Sequence, residues 1–185
     1  MTEEGQKILG AVQQIRELHS NISLLLLTAD AAMGKSGWRN AKADKTAISD
    51  QSYSIDLSDC WMPWEIFRFY KHEAYPSFLA SITVLIDDAE RRITEPLIAA
   101  SIIDFGSGRP IANFQNWLGG IFMSLGDRVE NGKLCKATAE QIPESWHDNF
   151  ERVWCFAHPL SEVTSENFLR EKVVDRLIDL AANPA

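Results

Sequence analysis

A chain of 185 residues with 45% hydrophobic and 24% charged residues is long enough for one buried core and too apolar to be disordered. Its net charge of −8 is diffuse, with ten basic and thirteen acidic groups in residues 1–92 and eight and thirteen in residues 93–185. Without a Lys/Arg cluster to hold phosphates, nucleic-acid binding is not expected, and a basic protein is the easier electrostatic partner.

Residues 1–33 form the first region, read as one helix from residue 2. Ile8, Val12, Ile15, His19, Ile22, Leu26, Ala29 and Met33 recur at alternating steps of four and three, which gives one narrow apolar stripe. Leu24, Leu25 and Leu27 widen the apolar surface toward the C-terminal end. Gly34 and Gly37 are suited to stop the helix, because glycine accepts a left-handed backbone. His19 lies on the stripe as a register or pH element, or as a boundary residue beside Leu18 and Ile22; no acid at helical spacing favours the former.

Residues 38–110 read as the sheet region. Residues 38–59 are polar, a loop with one or two short edge strands. The stretch 61–75 is the densest in aromatics. In it Ile66, Arg68 and Tyr70 alternate with Phe67 and Phe69 as in a strand, with a short helix after Asp59 as the rival. Trp61, Trp64, Arg68, Tyr70 and His72 are the candidate binding residues, since Trp, Tyr and Arg dominate protein hot spots; a core strand has the same composition. Residues 78–86 and 97–105 alternate around a charged turn, 87–92, and predict an antiparallel hairpin at the sheet centre.

Residues 113–185 read as a helical region with a strand over 153–158 as an alternative. Phe114, Trp117, Leu118, Ile121, Phe122 and Leu125 fit a helical face over 113–125, although Gly119-Gly120 suits a hairpin turn. A helix is also expected from about Pro143 to Trp154. The last helix runs from Ser165 to about Ala182, capped by Ser165 and buried through Leu169, Val173, Leu177 and Leu180.

One motif carries chemistry by resemblance. Ala29-Asp-Ala-Ala-Met-Gly34-Lys35-Ser36 follows an apolar run, and Ile82 to Asp87 looks like a second apolar strand ending in an acid. Together they resemble a P-loop nucleotide-binding enzyme. The resemblance implies Lys35 on the β and γ phosphates, Ser36 on magnesium, and Asp87 holding the metal through water. The residues themselves argue otherwise. The stripe through Met33 puts the loop at a helix C-terminus, whose dipole repels phosphate, and residues 37–45 offer no apolar face for a following helix.

No metal site is expected, because His19, His72, His147 and His158 lack ligand spacing to one another or to a cysteine. Asp87, Asp88, Glu90 and Glu95 could act as paired acids, but a turn between strands attracts acids for solvation alone. No Gly-x-Ser-x-Gly elbow occurs, and Cys155 near His158 lies in an apolar run without an activating charge. Cys60, Cys135 and Cys155 are odd in number and widely spaced, as free thiols in a reducing cytoplasm are. The acidic start Met-Thr-Glu-Glu is unlike a secretion signal, and the longest apolar runs, 24–27 and 153–157, are too short for a membrane span.

The expected fold is thus a single α+β domain over residues 1–185, with a mainly antiparallel sheet packed against long N- and C-terminal helices. The expected function is a non-catalytic protein-binding or regulatory module, acidic and cytoplasmic, with no cofactor. It would neutralise a basic partner or self-associate through the N-terminal helix. Nucleotide binding through Lys35, Ser36 and Asp87 is the alternative.

Overall fold

The computed structural model describes residues 2–41, 48–49, 62–87, 93–106, 131–141 and 150–184. The chain begins with α1 (Glu3–Lys35), a single 33-residue helix. Thr2 caps it by accepting a hydrogen bond from the Gly5 amide, and Glu3 and Glu4 lie where the helix dipole is positive. Its C-terminus closes in a Schellman arrangement. The Trp38 amide donates to the Met33 carbonyl and the Gly37 amide to that of Gly34, both at 3.1 Å. Gly37 takes φ +83°, the left-handed turn this closure needs. Trp38 then folds back into the core beside Met33.

Short strands β1 (Arg39–Asn40) and β2 (Ile48–Ser49) both pair with β3 (Glu65–His72). They are the edge strands expected in residues 38–59. β4 (Tyr75–Leu85) and β5 (Leu97–Asp104) form the expected hairpin, with Ile82 opposite Ala100. β6 (Cys135–Thr138) and β7 (Arg152–Pro159) complete the sheet. The order is β1-β3-β4-β5-β7-β6, antiparallel throughout, with β4 and β5 in the middle. The described architecture is therefore α+β.

Both sheet faces are buried. Tyr70, Ala80, Ile82, Ile102, Trp154 and Phe156 pack against Ile22, Leu26, Ala29 and Met33 of α1 and against the C-terminal helix. The opposite face, with Phe67, Phe69, Leu79, Ile103 and Val153, is equally inaccessible. This explains why β5 is apolar almost without alternation.

The C-terminal helix is capped by Ser165, whose hydroxyl accepts from the Phe168 amide. It runs without a break through α2 (Glu166–Phe168), a π segment (Leu169–Val174) and α3 (Asp175–Ala182).

Two expectations need correction. Of the helix expected over 143–154, residues 152–154 begin β7 instead; residues 142–149 lie outside the described residues. Trp146, Phe150, Val153 and Trp154 are spaced for one helical face, but Val153 to His158 form a continuous buried run. The doubly buried centre of a sheet accepts such a run. The region 113–185 therefore contains two strands ahead of its last helix. The proposed helix over 113–125 also lies outside the described residues.

Candidate functional site

The aromatic–Arg segment is spread along one strand and divided between different environments. Arg68 and Tyr70 point from β3 toward α1 and meet Asp30 there. Arg68 Nε donates to Asp30 Oδ1 at 3.1 Å, its Nη2 donates to Oδ2, and the Tyr70 hydroxyl donates to Oδ1 at 2.9 Å. Such a fork is the strongest geometry for a guanidinium and a carboxylate. Burial opposes charge on Arg68, but Asp30 outweighs it and raises the guanidinium pKa. Burial, reinforced by the Asp30 charge, likewise raises the Tyr70 phenol. The triad ties α1 to the sheet.

Trp64 lies at the start of β3, where its carbonyl accepts from the Ile86 amide. His72 lies at the other end, against Trp38 and Tyr75 at ring separations of 5.2 and 5.1 Å. Eight residues of strand separate Trp64 from His72, about 26 Å, so these side chains form no single site. Trp61 lies outside the described residues.

The phosphate-loop residues are likewise apart. Residues 29–35 are helical, Lys35 ends α1 and Ser36 is its C-cap. A phosphate placed there would meet the carbonyl end of the helix rather than amide donors. Arg39, four residues beyond Lys35, pairs with Lys71, whereas the Asp87 amide donates to Trp64. Arg39 and Asp87 thus lie at opposite ends of β3, about 23 Å apart along the strand, and no described contact brings Lys35 to Asp87. Among the described residues the named strands pair antiparallel, without the parallel crossover of a nucleotide-loop fold. This geometry offers no phosphate cradle around Lys35 and Ser36 among the described residues.

Asp87 and Glu95 flank the β4–β5 connection, both exposed, and Glu95 accepts from Ser161 Oγ at 3.2 Å. Asp88 and Glu90 lie outside the described residues. Among the described residues no three His, Cys, Asp or Glu side chains are placed to hold a metal ion. No described helix is long and apolar enough to cross a membrane. Cys135 and Cys155 face each other across β6 and β7, and both are buried. Their mutual hydrogen bond, and then burial, push the Cys155 thiol up, away from a reactive thiolate.

His158 forms a joint between β7, residues 131–132 and the C-terminal helix. Its Nδ1 lies 3.0 Å from Asn131 Oδ1, and Asn131 Nδ2 donates to Glu162 Oε1 at 3.0 Å. Arg176 donates to the Gly132 carbonyl at 2.6 Å and lies 4.1 Å over the Phe156 ring. Burial, then the nearby Arg176 charge, lower the His158 pKa.

The feature best suited to binding is the helix stripe itself. Ile22, Leu26, Ala29 and Met33 are at most 4% exposed. On the same face Ile8, Val12 and Ile15 are 64%, 39% and 36% exposed, and Leu9 on the flank is 56% exposed. α1 therefore runs past the edge of its own core, and its first half carries an aliphatic stripe that no described element covers. Beside the junction lies a groove of about 740 Å³. Leu18, Ile22 and Leu25 form one wall, Leu160, Val163 and Leu169 the other, and Glu95 and Glu166 stand among its lining residues. The spacing of residues 8–33 reveals the stripe but not where coverage stops. Of the extra leucines at 24, 25 and 27, the first two line the groove and were its signal in the sequence.

No protein-family model, curated protein or solved structure matches this chain.

Proposed function

We propose that this protein is a non-catalytic protein-binding module whose binding element is the projecting first half of α1. The observation that carries the reading is the abrupt change in exposure along one unbroken stripe, from at most 4% at Ile22 and beyond to at least 36% from Ile15 back to Ile8. A helix face of this kind binds by laying aliphatic anchors at helical spacing onto an apolar partner surface. A run of about 15 residues is marginal as a free helix, so covering its apolar face also secures the helix. The net charge of −8 favours a basic surface around the apolar contact. A regulatory role follows if the captured surface is the partner's working surface.

The test is co-purification from the cells that make the protein, comparing wild type with Ile8→Asp/Val12→Asp. The substituted side chains touch no described core, so the variant keeps its far-ultraviolet circular dichroism. Loss of the associated protein from this variant, with the fold intact, is the expected result. Equal recovery of the same protein by both chains contradicts the reading.

A further inference from the structure

We infer that Cys135 and Cys155 are a redox pair: on meeting a low-molecular-weight disulfide they close into a cross-strand disulfide that fastens β6 to β7.

The register supplies the geometry. Cys135, the first residue of β6, stands directly opposite Cys155 in the antiparallel pairing with β7. Opposed residues of such a pair lie about 4.5–5.5 Å apart at Cα, within the roughly 4.4–6.8 Å that a disulfide spans. Their side chains also leave the sheet on the same face. The two thiols already hydrogen-bond each other, so the sulfurs face one another without any movement of the strands.

The order of attack follows from position. Among the described residues β6 pairs with β7 alone and ends the sheet. Cys135 is 8% exposed and Cys155 2%, so the edge cysteine meets the oxidant first. Its thiolate attacks one sulfur of the small disulfide, forms a mixed disulfide and expels one thiolate, which takes up the proton that Cys135 lost. Cys155 then attacks the Cys135 sulfur and expels the second thiolate, which takes up the Cys155 proton. Two protein thiols are oxidised, and one small disulfide is reduced to two thiols. The hydrogen bond to Cys135 is the largest cause holding the Cys155 proton, and the first step removes that donor–acceptor pair.

The bond would act on the joint at His158. Three residues before Cys135, the Gly132 carbonyl accepts from Arg176 of the C-terminal helix, and Asn131 reaches His158 and Glu162. Fastening Cys135 holds this segment to β7 and restricts the unfolded chain through the ring from residue 135 to residue 155.

The test incubates the native full-length chain with oxidised glutathione, blocks the remaining thiols with an alkylating agent and maps the peptides by mass. A Cys135–Cys155 linked peptide, short of two hydrogens, is the expected product. The oxidised chain should unfold about 6–12 °C higher than the reduced one, the gain from closing a ring of about 20 residues, and a thiol reductant should reverse it. Cys60→Ser should keep this shift and Cys135→Ser should lose it. Cys155→Ser should stop at a glutathione adduct on Cys135. Thiols at 135 and 155 that stay free in the native chain, a bond to Cys60 instead, or an adduct that persists on wild-type Cys135 would each overturn the redox pair. A Cys135–Cys155 bond that leaves the unfolding midpoint unchanged would overturn its fastening role.

Discussion

Arg68 is buried, and its side chain can stay charged there because Asp30 accepts both of its facing N–H groups. Removing the carboxylate leaves a buried cation unpaired. Asp30→Ala should therefore cost about 3–5 kcal/mol in urea unfolding, whereas Asp30→Leu/Arg68→Met should recover most of that loss. A cost below about 1 kcal/mol for the single change would mean the triad is not an anchor. His158 gives a second residue-level test. Burial and Arg176 make it bind its proton less tightly folded than unfolded, opposed by Glu162. As pH falls, the unfolded chain is protonated first. The stability due to neutral His158 is thus complete above its ordinary value of 6.5 and declines below that until the folded-state value is passed. Unfolding midpoints at about pH 7.5 and about pH 5.5 should differ more for wild type than for His158→Gln. Equal differences would remove His158 from the account.

At the scale of elements, α1 depends on how it ends. Gly37 takes a left-handed backbone, and a Cβ there would lie 2.7 Å from His72 Nε2. Gly37→Ala should cost about 1–2 kcal/mol from the backbone alone and more from the clash, measured as a lowered unfolding midpoint. No change would mean that the helix can close another way. This glycine was legible in the sequence, as were the β4–β5 hairpin and the Ser165 cap, because each is set by neighbours a few residues away. β7 was legible only as an alternative, since a strand buried on both faces loses the alternation that distinguishes strand from helix. β6 carries no clear pattern in four residues, Cys135 to Thr138, and is set by pairing with β7. The scatter of Trp64, Arg68, Tyr70 and His72 was not legible either. Composition reports that side chains are near in sequence, whereas an eight-residue strand carries its ends far apart.

At the scale of the whole molecule, the described residues form a closed core with half a helix left over. α1 joins both parts, and its stripe has the same spacing in each, so periodicity alone could not show that Leu26 is core and Val12 is surface. Only the extent of the sheet beneath the helix decides that. Covering Ile8, Leu9, Val12 and Ile15 is worth several kcal/mol in all, roughly 1.5–3 kcal/mol for each side chain fully buried. That is enough to hold a partner and not needed to hold the fold. Native-state amide hydrogen exchange of Ile8→Asp/Val12→Asp, compared with wild type, tests this division most directly, because exchange reports opening segment by segment. Amides of residues 6–17 should lose their protection in the variant while those of residues 22–35 keep theirs. Loss of protection across both halves, or its retention in residues 6–17, would contradict the division of α1 into a binding half and a core half.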